Sequence, residues 1–370
     1  MRLAIAAHDP ATTSETFIRM QYERLPCALA IHGGPVASET RPGGAIAPLG
    51  SLRGVAETAW DVGVRRTRWE GPQTRELARR LRRARIDTML VNFGTHAAAL
   101  LPACEAAGVR IVPHFHGNDA HTASVVEAHR AGYRALAARA HRVVAVSRHM
   151  IGALVALGFP EEKMRLVRCG VDTGRFTPRA APPADPLFFG VGRFVDKKAP
   201  YLTLLAFRAV RERHPRARLV LAGDGQLLEV TRNLRNALGL DDAVELPGSL
   251  SHEAVARHML AATAFVQHSL CPREGPARGD CEGTPVAVLE AMICGLPVVA
   301  TRHAGIGEVV EQGVSGLLVE ERDVAGMAAA MLSLCADPAL GVRLGAAARA
   351  AALERHTADR YVAGLLEALA

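Results

Sequence analysis

The sequence predicts an α/β chain of two domains, each a parallel sheet with helices between its strands. Short apolar runs alternate with helical sequence along most of the chain. The alternation breaks off between 178 and 186, where Pro178, Pro182, Pro183 and Pro186 mark a stiff linker, and restarts at Leu187. A length of 370 residues, with 49% hydrophobic and 22% charged, suffices for two cores of ordinary globular composition.

In the first domain, Leu3–Ala7 reads as a buried parallel strand, followed by a polar turn and a helix capped by Ser14, with Phe17, Ile18 and Leu25 on its apolar face. A strand running straight into a helix N-terminus is a phosphate-binding arrangement, which makes Ser14 a ligand candidate. Further strands are predicted at Cys27–Ile31, Thr88–Val91, Ile111–Phe115 and Val143–Val146, so ligand loops fall at their C-terminal ends. One such loop carries His116, Gly117 and Asp119, and Asn92 follows the Thr88 strand. From Gln73 to Arg85 the pattern is an amphipathic helix with Leu77, Ala78, Leu81 and Ala84 inward. Its arginines, with Arg65, Arg66 and Arg68 before them, contribute to a formal charge of +7 and suggest an anionic partner. Two readings stay open: a peripheral contact with an anionic membrane, or a solvated face. Nucleic acid is disfavoured, because aromatic residues are 4% of the chain and none interleave with these arginines.

In the second domain the strand beginning at Leu187 ends in Gly-Val-Gly-Arg. This brings Arg193 to the sheet's C-terminal edge, with Lys198 farther along the same loop, two cations able to neutralise a diphosphate. Arg218–Ala222 is a strand turning through Gly223 and Gly225, and Gly248 sits in the segment Val244–Leu250. Strands follow at Ala264–Ser269 and Val298–Thr301. Between them a polar, Gly-rich loop passes through Glu282 and Gly283, turns at Thr284-Pro285 and becomes an apolar helix. The amides of Gly283, Thr284 and Val286 suit a diphosphate at that helix end. Glu290 lies inside the apolar helix, where an acid needs a partner; a neighbouring arginine or a ribose diol would serve. Residues from Met327 to Ala370 read as helical. No run reaches the length of a membrane span, and the first apolar run is too short for a signal peptide. Seven cysteines without CxxC spacing predict reduced thiols in the cytosol, with neither a disulfide framework nor a zinc site.

Glu282-Gly-Thr-Pro, Glu290-Ala-Met and Gly295-x-Pro-Val together resemble the E-x7-E motif of family-4 retaining glycosyltransferases with the GT-B fold. Gly192-Arg193, Lys198 and Gly223-Asp-Gly225 follow in the family's order, and Ser14-Glu15-Thr16-Phe17 resembles an exopolysaccharide and lipopolysaccharide subset. The resemblance implies two Rossmann-like, doubly wound domains facing a central cleft: residues 1–177 binding acceptor, 178–186 as linker, 187–350 binding nucleotide sugar, and 351–370 as a helix crossing back. It also implies roles. Arg193 and Lys198 would neutralise the diphosphate, Glu282 and His116 would hold the donor sugar and Glu290 the ribose. Gly223, Gly225 and Gly248 would line the nucleoside, while Asp119, Gly117 and Asn92 would face substrate. With no Asp-x-Asp motif, no divalent metal or cofactor is expected. The implied reaction moves a hexose from a nucleotide diphosphate sugar, UDP favoured, to a lipid-linked or oligosaccharide acceptor in cell-surface polysaccharide assembly. A small soluble acceptor of the inositol phosphate or malate type, and a catalytically idle scaffold, are the alternatives.

Overall fold

The computed structural model describes residues 1–8, 16–33, 39–42, 44–45, 71–179 and 183–370. They form two compact units, Met1–Arg168 with Tyr361–Ala370, and Cys169–Arg360. Ser14, Pro182, Arg65, Arg66 and Arg68 lie outside the described residues.

The sheet of the first unit contains β1 (Leu3–Ala7), β2 (Cys27–His32), β3 (Glu39–Arg41), β4 (Gly44–Ala45), β5 (Thr88–Asn92), β6 (Arg110–Phe115), β7 (Val143–Ala145) and β8 (Met164–Leu166). Their spatial order is β4-β3-β2-β1-β5-β6-β7-β8. Pairing is parallel from β2 through β8, and β3 and β4 extend the edge antiparallel. Strands β1 and β5 are buried at every residue, which is why β1 reads as an unbroken apolar run and β5 as apolar Met89, Leu90 and Val91 between polar ends, rather than alternating. The chain winds one way from β1 and the other way from β5, so the gap beyond their C-terminal ends is a topological switch point, where open α/β sheets bind ligands. The basic helix spans Pro72–Arg83, burying Leu77, Ala78 and Leu81, and Ala84 closes it as C-cap. Arg75, Arg79, Arg82 and Arg83 are exposed. Arg80 is instead half-buried, pairing with Glu76 at 2.8 Å.

The second unit holds a wholly parallel sheet of β9 (Leu187–Val191), β10 (Arg218–Ala222), β11 (Val244–Glu245), β12 (Ala264–Gln267), β13 (Val298–Thr301) and β14 (Gly316–Val319). The order β11-β10-β9-β12-β13-β14 puts its switch point between β9 and β12. Phe188, Phe207, Leu219, Val266 and Met331 belong to one buried cluster, each such side chain contributing about 2 kcal/mol. Helix starts follow local rules: Pro200 and Pro338 open their helices, while Ser251, Asp323 and Asp337 accept N–H groups at their caps.

Three sequence expectations are corrected here. The first unit ends at Arg168 rather than 177, where Val171 donates to the His356 carbonyl at 2.9 Å, and the linker's Arg179 belongs to the second unit, donating to the carbonyls of Ala262 and Thr263. The returning segment begins at Tyr361 rather than 351, since the helix Pro338–Arg355 packs on Val286–Ile293 within the second unit. In the first unit Gln21 then donates to the Tyr361 hydroxyl at 2.6 Å. The expectation of reduced thiols fails at Cys271 and Cys281, which are joined with a Cα–Cα distance of 4.9 Å. Their nine-residue separating loop folds back through Gly279 N–H donating to the Pro272 carbonyl at 2.8 Å, a return that spacing rules do not register.

Gly223, at φ +135°, lies so close to the Gly192 carbonyl that any Cβ would overlap it, and Gly225 meets the backbone of Phe194 in the same way. Gly223→Ala should therefore destabilise by about 3 kcal/mol. Gly152→Ala, on an exposed helical site with open space around it, should instead stabilise by about 0.5–1 kcal/mol. Urea-unfolding midpoints of the two variants measure the contrast; equal shifts would contradict the packing described.

Candidate functional site

At the β9/β12 switch point two loops meet. β9 exits into Gly192–Lys198, β12 exits into residues 268–285, and Leu270 N–H donates to the Lys197 carbonyl at 2.9 Å between them. Lys198 Nζ pairs with Glu282 Oε1 at 2.9 Å, and Lys197 Nζ pairs with Asp280 Oδ1 at 2.8 Å. Burial pushes the Glu282 carboxyl up, but Lys198 and then Lys197 outweigh it, and the group is held down at about 2. Arg193 is exposed and lines a small cavity with Gly192, Lys198 and Gln267. Gly223 N–H donates to the Gly248 carbonyl at 2.7 Å while packing on Gly192. Arg193, Lys198, Glu282, Gly223 and Gly248 thus gather around one sheet edge. The glycines at 223 and 225 are required by the chain's own backbone.

The apolar helix runs Val286–Ile293 with Pro285 as N-cap, and no described side chain caps it. Among the described residues, the amides of Val286 and Ala287 have no acceptor, so this end is an anion-ready terminus. Gly283 is buried beside it, and the Thr284 hydroxyl is engaged with the Cys169 thiol. Glu290 is buried, and no described residue hydrogen bonds its carboxyl; burial alone drives it up to about 8. The two glutamates of the motif are thus opposites: Glu282 is a paired carboxylate, Glu290 a protonated acid awaiting a partner.

In the first unit, His116 follows β6 and its Nε2 lies 2.9 Å from Asn92 Oδ1. Asn92 Nδ2 donates to the Ala6 carbonyl and to Gln21, which fixes Oδ1 as the acceptor and His116 Nε2 as protonated. Burial, and then His114, hold His116 well below the usual imidazole range. Its Nδ1 is therefore a lone-pair acceptor, without a partner among the described residues. Asn92 is fully buried with its amide engaged, so it orients His116 instead of reaching substrate. Asp119 also changes role. Its oxygens take N–H groups from Gly94, His116 and Gly117 at 2.8, 3.0 and 3.0 Å, so it clamps the loop. Gly117, at φ +150°, forms the turn into the short helix Asn118–His121.

Sequence reasoning missed His303, whose Nε2 accepts the Glu282 N–H at 3.0 Å and whose Nδ1 faces Glu321 at 2.6 Å. Its signal was position: it follows β13 on the ligand edge. It also missed that Asp280 and Glu282 each face a lysine, and that Ser269 Oγ donates to Glu282 at 3.4 Å. At the other switch point His8 stacks on His96 at 4.6 Å, and burial, then His8, push His96 down to about 3.

Residues 37–175 match a family described as Glycosyltransferase Family 4, and residues 176–351 one described as Glycosyl transferases group 1. The chain is 35% identical over 248 residues to the putative colanic acid biosynthesis glycosyltransferase WcaL of Escherichia coli K12, covering 66% of this chain and 60% of that protein. It is 34% identical over 295 residues to the amylovoran biosynthesis glycosyltransferase AmsK of Erwinia amylovora, covering 77% and 70%. The alignment thus spans less than two thirds of the first relative's length. Among solved structures, Anabaena HepE in complex with UDP superposes with a TM-score of 0.77 at 18% identity, covering 100% of this chain and 99% of that one, a likeness of fold.

Glu290 sets a pH test. Between about pH 4.5 and 8 the unfolded chain carries this carboxyl ionised and the folded chain carries it protonated. Folding takes up a proton, so this group's contribution to stability falls as pH rises through that window and levels off above it. Glu290→Gln removes the penalty. Its stability advantage over the parent should grow from near zero at the acid end to roughly 4 kcal/mol at the alkaline end. Chemical unfolding across that range measures it; a pH-independent difference would contradict the unpartnered carboxyl.

Proposed function

The chain belongs to glycosyltransferase family 4, in its GT-B exopolysaccharide branch, and from that premise we propose that it moves a hexose from a nucleotide diphosphate sugar to a lipid-linked or oligosaccharide acceptor. The observation that carries this reading is Glu290: a buried carboxyl without a partner among the described residues, on a helix whose first amides are uncapped by them, asks for a ligand with hydroxyl donors and an anionic group. A nucleoside diphosphate has both. UDP is the favoured nucleotide, with support from the UDP held by a protein of the same fold.

Arg193 and Lys198 take the diphosphate. They neutralise the charge that grows on the leaving oxygen as the anomeric carbon–oxygen bond breaks, while the Val286 and Ala287 amides orient it. Fixed cations of this kind let transfer proceed without a divalent metal. Glu282, ionised at any physiological pH, accepts hydrogen bonds from sugar hydroxyls. In the first unit, neutral His116 keeps Nδ1 as a hydrogen-bond acceptor for a ligand hydroxyl. The acceptor oxygen attacks on the face the diphosphate leaves, its proton passes to the departing phosphate oxygen, and anomeric configuration is retained. Exposed Arg75, Arg79, Arg82 and Arg83 form a face suited to an anionic membrane where lipid-linked acceptors reside. Among the described residues no helix is long and apolar enough to cross a membrane.

The test pairs binding with turnover. UDP-sugars should raise the melting temperature more than GDP- or ADP-sugars, and transfer should persist in excess EDTA. Arg193→Ala should lower kcat by about 10²-fold. Loss of transfer in EDTA with recovery on adding magnesium would contradict the metal-free mechanism, and no shift with any nucleotide sugar would contradict the donor site.

A further inference from the structure

Cys271 and Cys281 close the exposed end of the loop that carries Glu282. Residues 273–276 and 278 within it are exposed, Cys271 is half-buried and Cys281 is buried. The two cysteines are also held together without their sulfurs. Cys271 N–H donates to Glu321 Oε2 at 3.2 Å, and Arg322 donates to the Cys271 carbonyl at 2.9 Å. Glu321 Oε1 meets His303 Nδ1 at 2.6 Å, and His303 Nε2 takes the N–H of Glu282, the residue after Cys281, at 3.0 Å. The sulfur–sulfur bond completes a ring whose other links are hydrogen bonds.

We propose that Cys271 and Cys281 are a reversible thiol–disulfide pair that sets how firmly the Glu282 loop is held, and so regulates donor binding. The regulatory part rests on the donor site proposed above; the covalent part does not. A metal is the competing use of this cluster, since both sulfurs and a His303 ring nitrogen lie within 4.8 Å of one another. It fails on His303, whose two ring nitrogens are already engaged with Glu282 and Glu321.

The chemistry is exchange with a small disulfide such as oxidised glutathione. The Cys271 thiolate, the more accessible, attacks one sulfur of the reagent and expels a thiolate, giving a mixed disulfide. The Cys281 thiolate then attacks the Cys271 sulfur and expels the second. Two protein thiols and one small disulfide become one protein disulfide and two small thiols, with two electrons passing to the reagent; excess thiol reverses each step. Because the ring keeps the sulfurs adjacent after reduction, the second step is intramolecular and closure competes well with release. Reduction leaves the loop's closure on hydrogen bonds alone, and the residue before Glu282 loses its cross-link to Cys271.

The full chain is equilibrated in graded ratios of oxidised to reduced glutathione, alkylated and digested for mass spectrometry. Amide exchange over residues 272–282 and UDP titrations are read at both extremes. The proposal predicts a Cys271–Cys281 linked peptide that follows the ratio, faster exchange in 272–282 on reduction, and UDP binding about tenfold weaker when reduced. Cys271→Ser should abolish the redox dependence of binding. A linked peptide absent at every ratio, or exchange identical in the two states, overturns it, as does stoichiometric zinc retained by the reduced chain and lost in Cys271→Ser. Linkage and an exchange change with no UDP binding in either state would support the loop switch and count against the donor reading.

Discussion

The ion pair between Lys198 and Glu282 is the interaction on which the second unit's active edge depends. Both groups are largely buried, at 17% and 9% side-chain exposure, so each gives up hydration. Such a pair is seldom a net source of stability and persists when its geometry and further hydrogen bonds are good. Here Ser269 donates to the carboxylate and His303 accepts the Glu282 amide, while Lys197 and Asp280 form a second pair alongside. The result is a rigid array of charge at the β9/β12 switch point, set before any ligand arrives. Preorganised charge of this kind stabilises a developing anion at little reorganisation cost.

Two glutamates eight positions apart show how environment divides labour. Glu282 is buried beside two ammonium groups and stays ionised down to about 2; Glu290 is buried beside none and stays protonated up to about 8. The first is ready to accept hydrogen bonds at once. The second costs folding stability at neutral pH, a cost that makes sense where a ligand's hydroxyls complete the site. The first unit follows the same logic: Gln21 and the Ala6 carbonyl orient the Asn92 amide, whose Oδ1 fixes one tautomer of His116.

Much of this architecture is legible in sequence because parallel strands buried on both faces, such as Leu3–Ala7, announce themselves as apolar runs. The cations at 193 and 198 are legible because a strand ending in Gly-Arg has one edge to go to. What stays hidden depends on contacts between distant residues. The antiparallel edge strands β3 and β4 are three and two residues long, and β14 follows a turn with little periodic signal. Asn92 and Asp119 look like substrate ligands in sequence. Only three-dimensional proximity reveals that their polar atoms are taken by Gln21, His116 and backbone amides. The pairing of Cys271 with Cys281 likewise depends on a loop that turns back through Gly279.

The measurement that bears most directly on the fixed-charge account is a double-mutant cycle on nucleotide affinity. Calorimetric titration of UDP into the parent, Lys198→Met, Glu282→Gln and the double variant isolates the coupling between the two groups. If the pair acts as one preorganised unit, the coupling energy should reach about 1 kcal/mol or more, with the double variant less impaired than the sum of the singles. Additive losses, with coupling near zero, would show that the lysine and the glutamate act independently and would contradict the account.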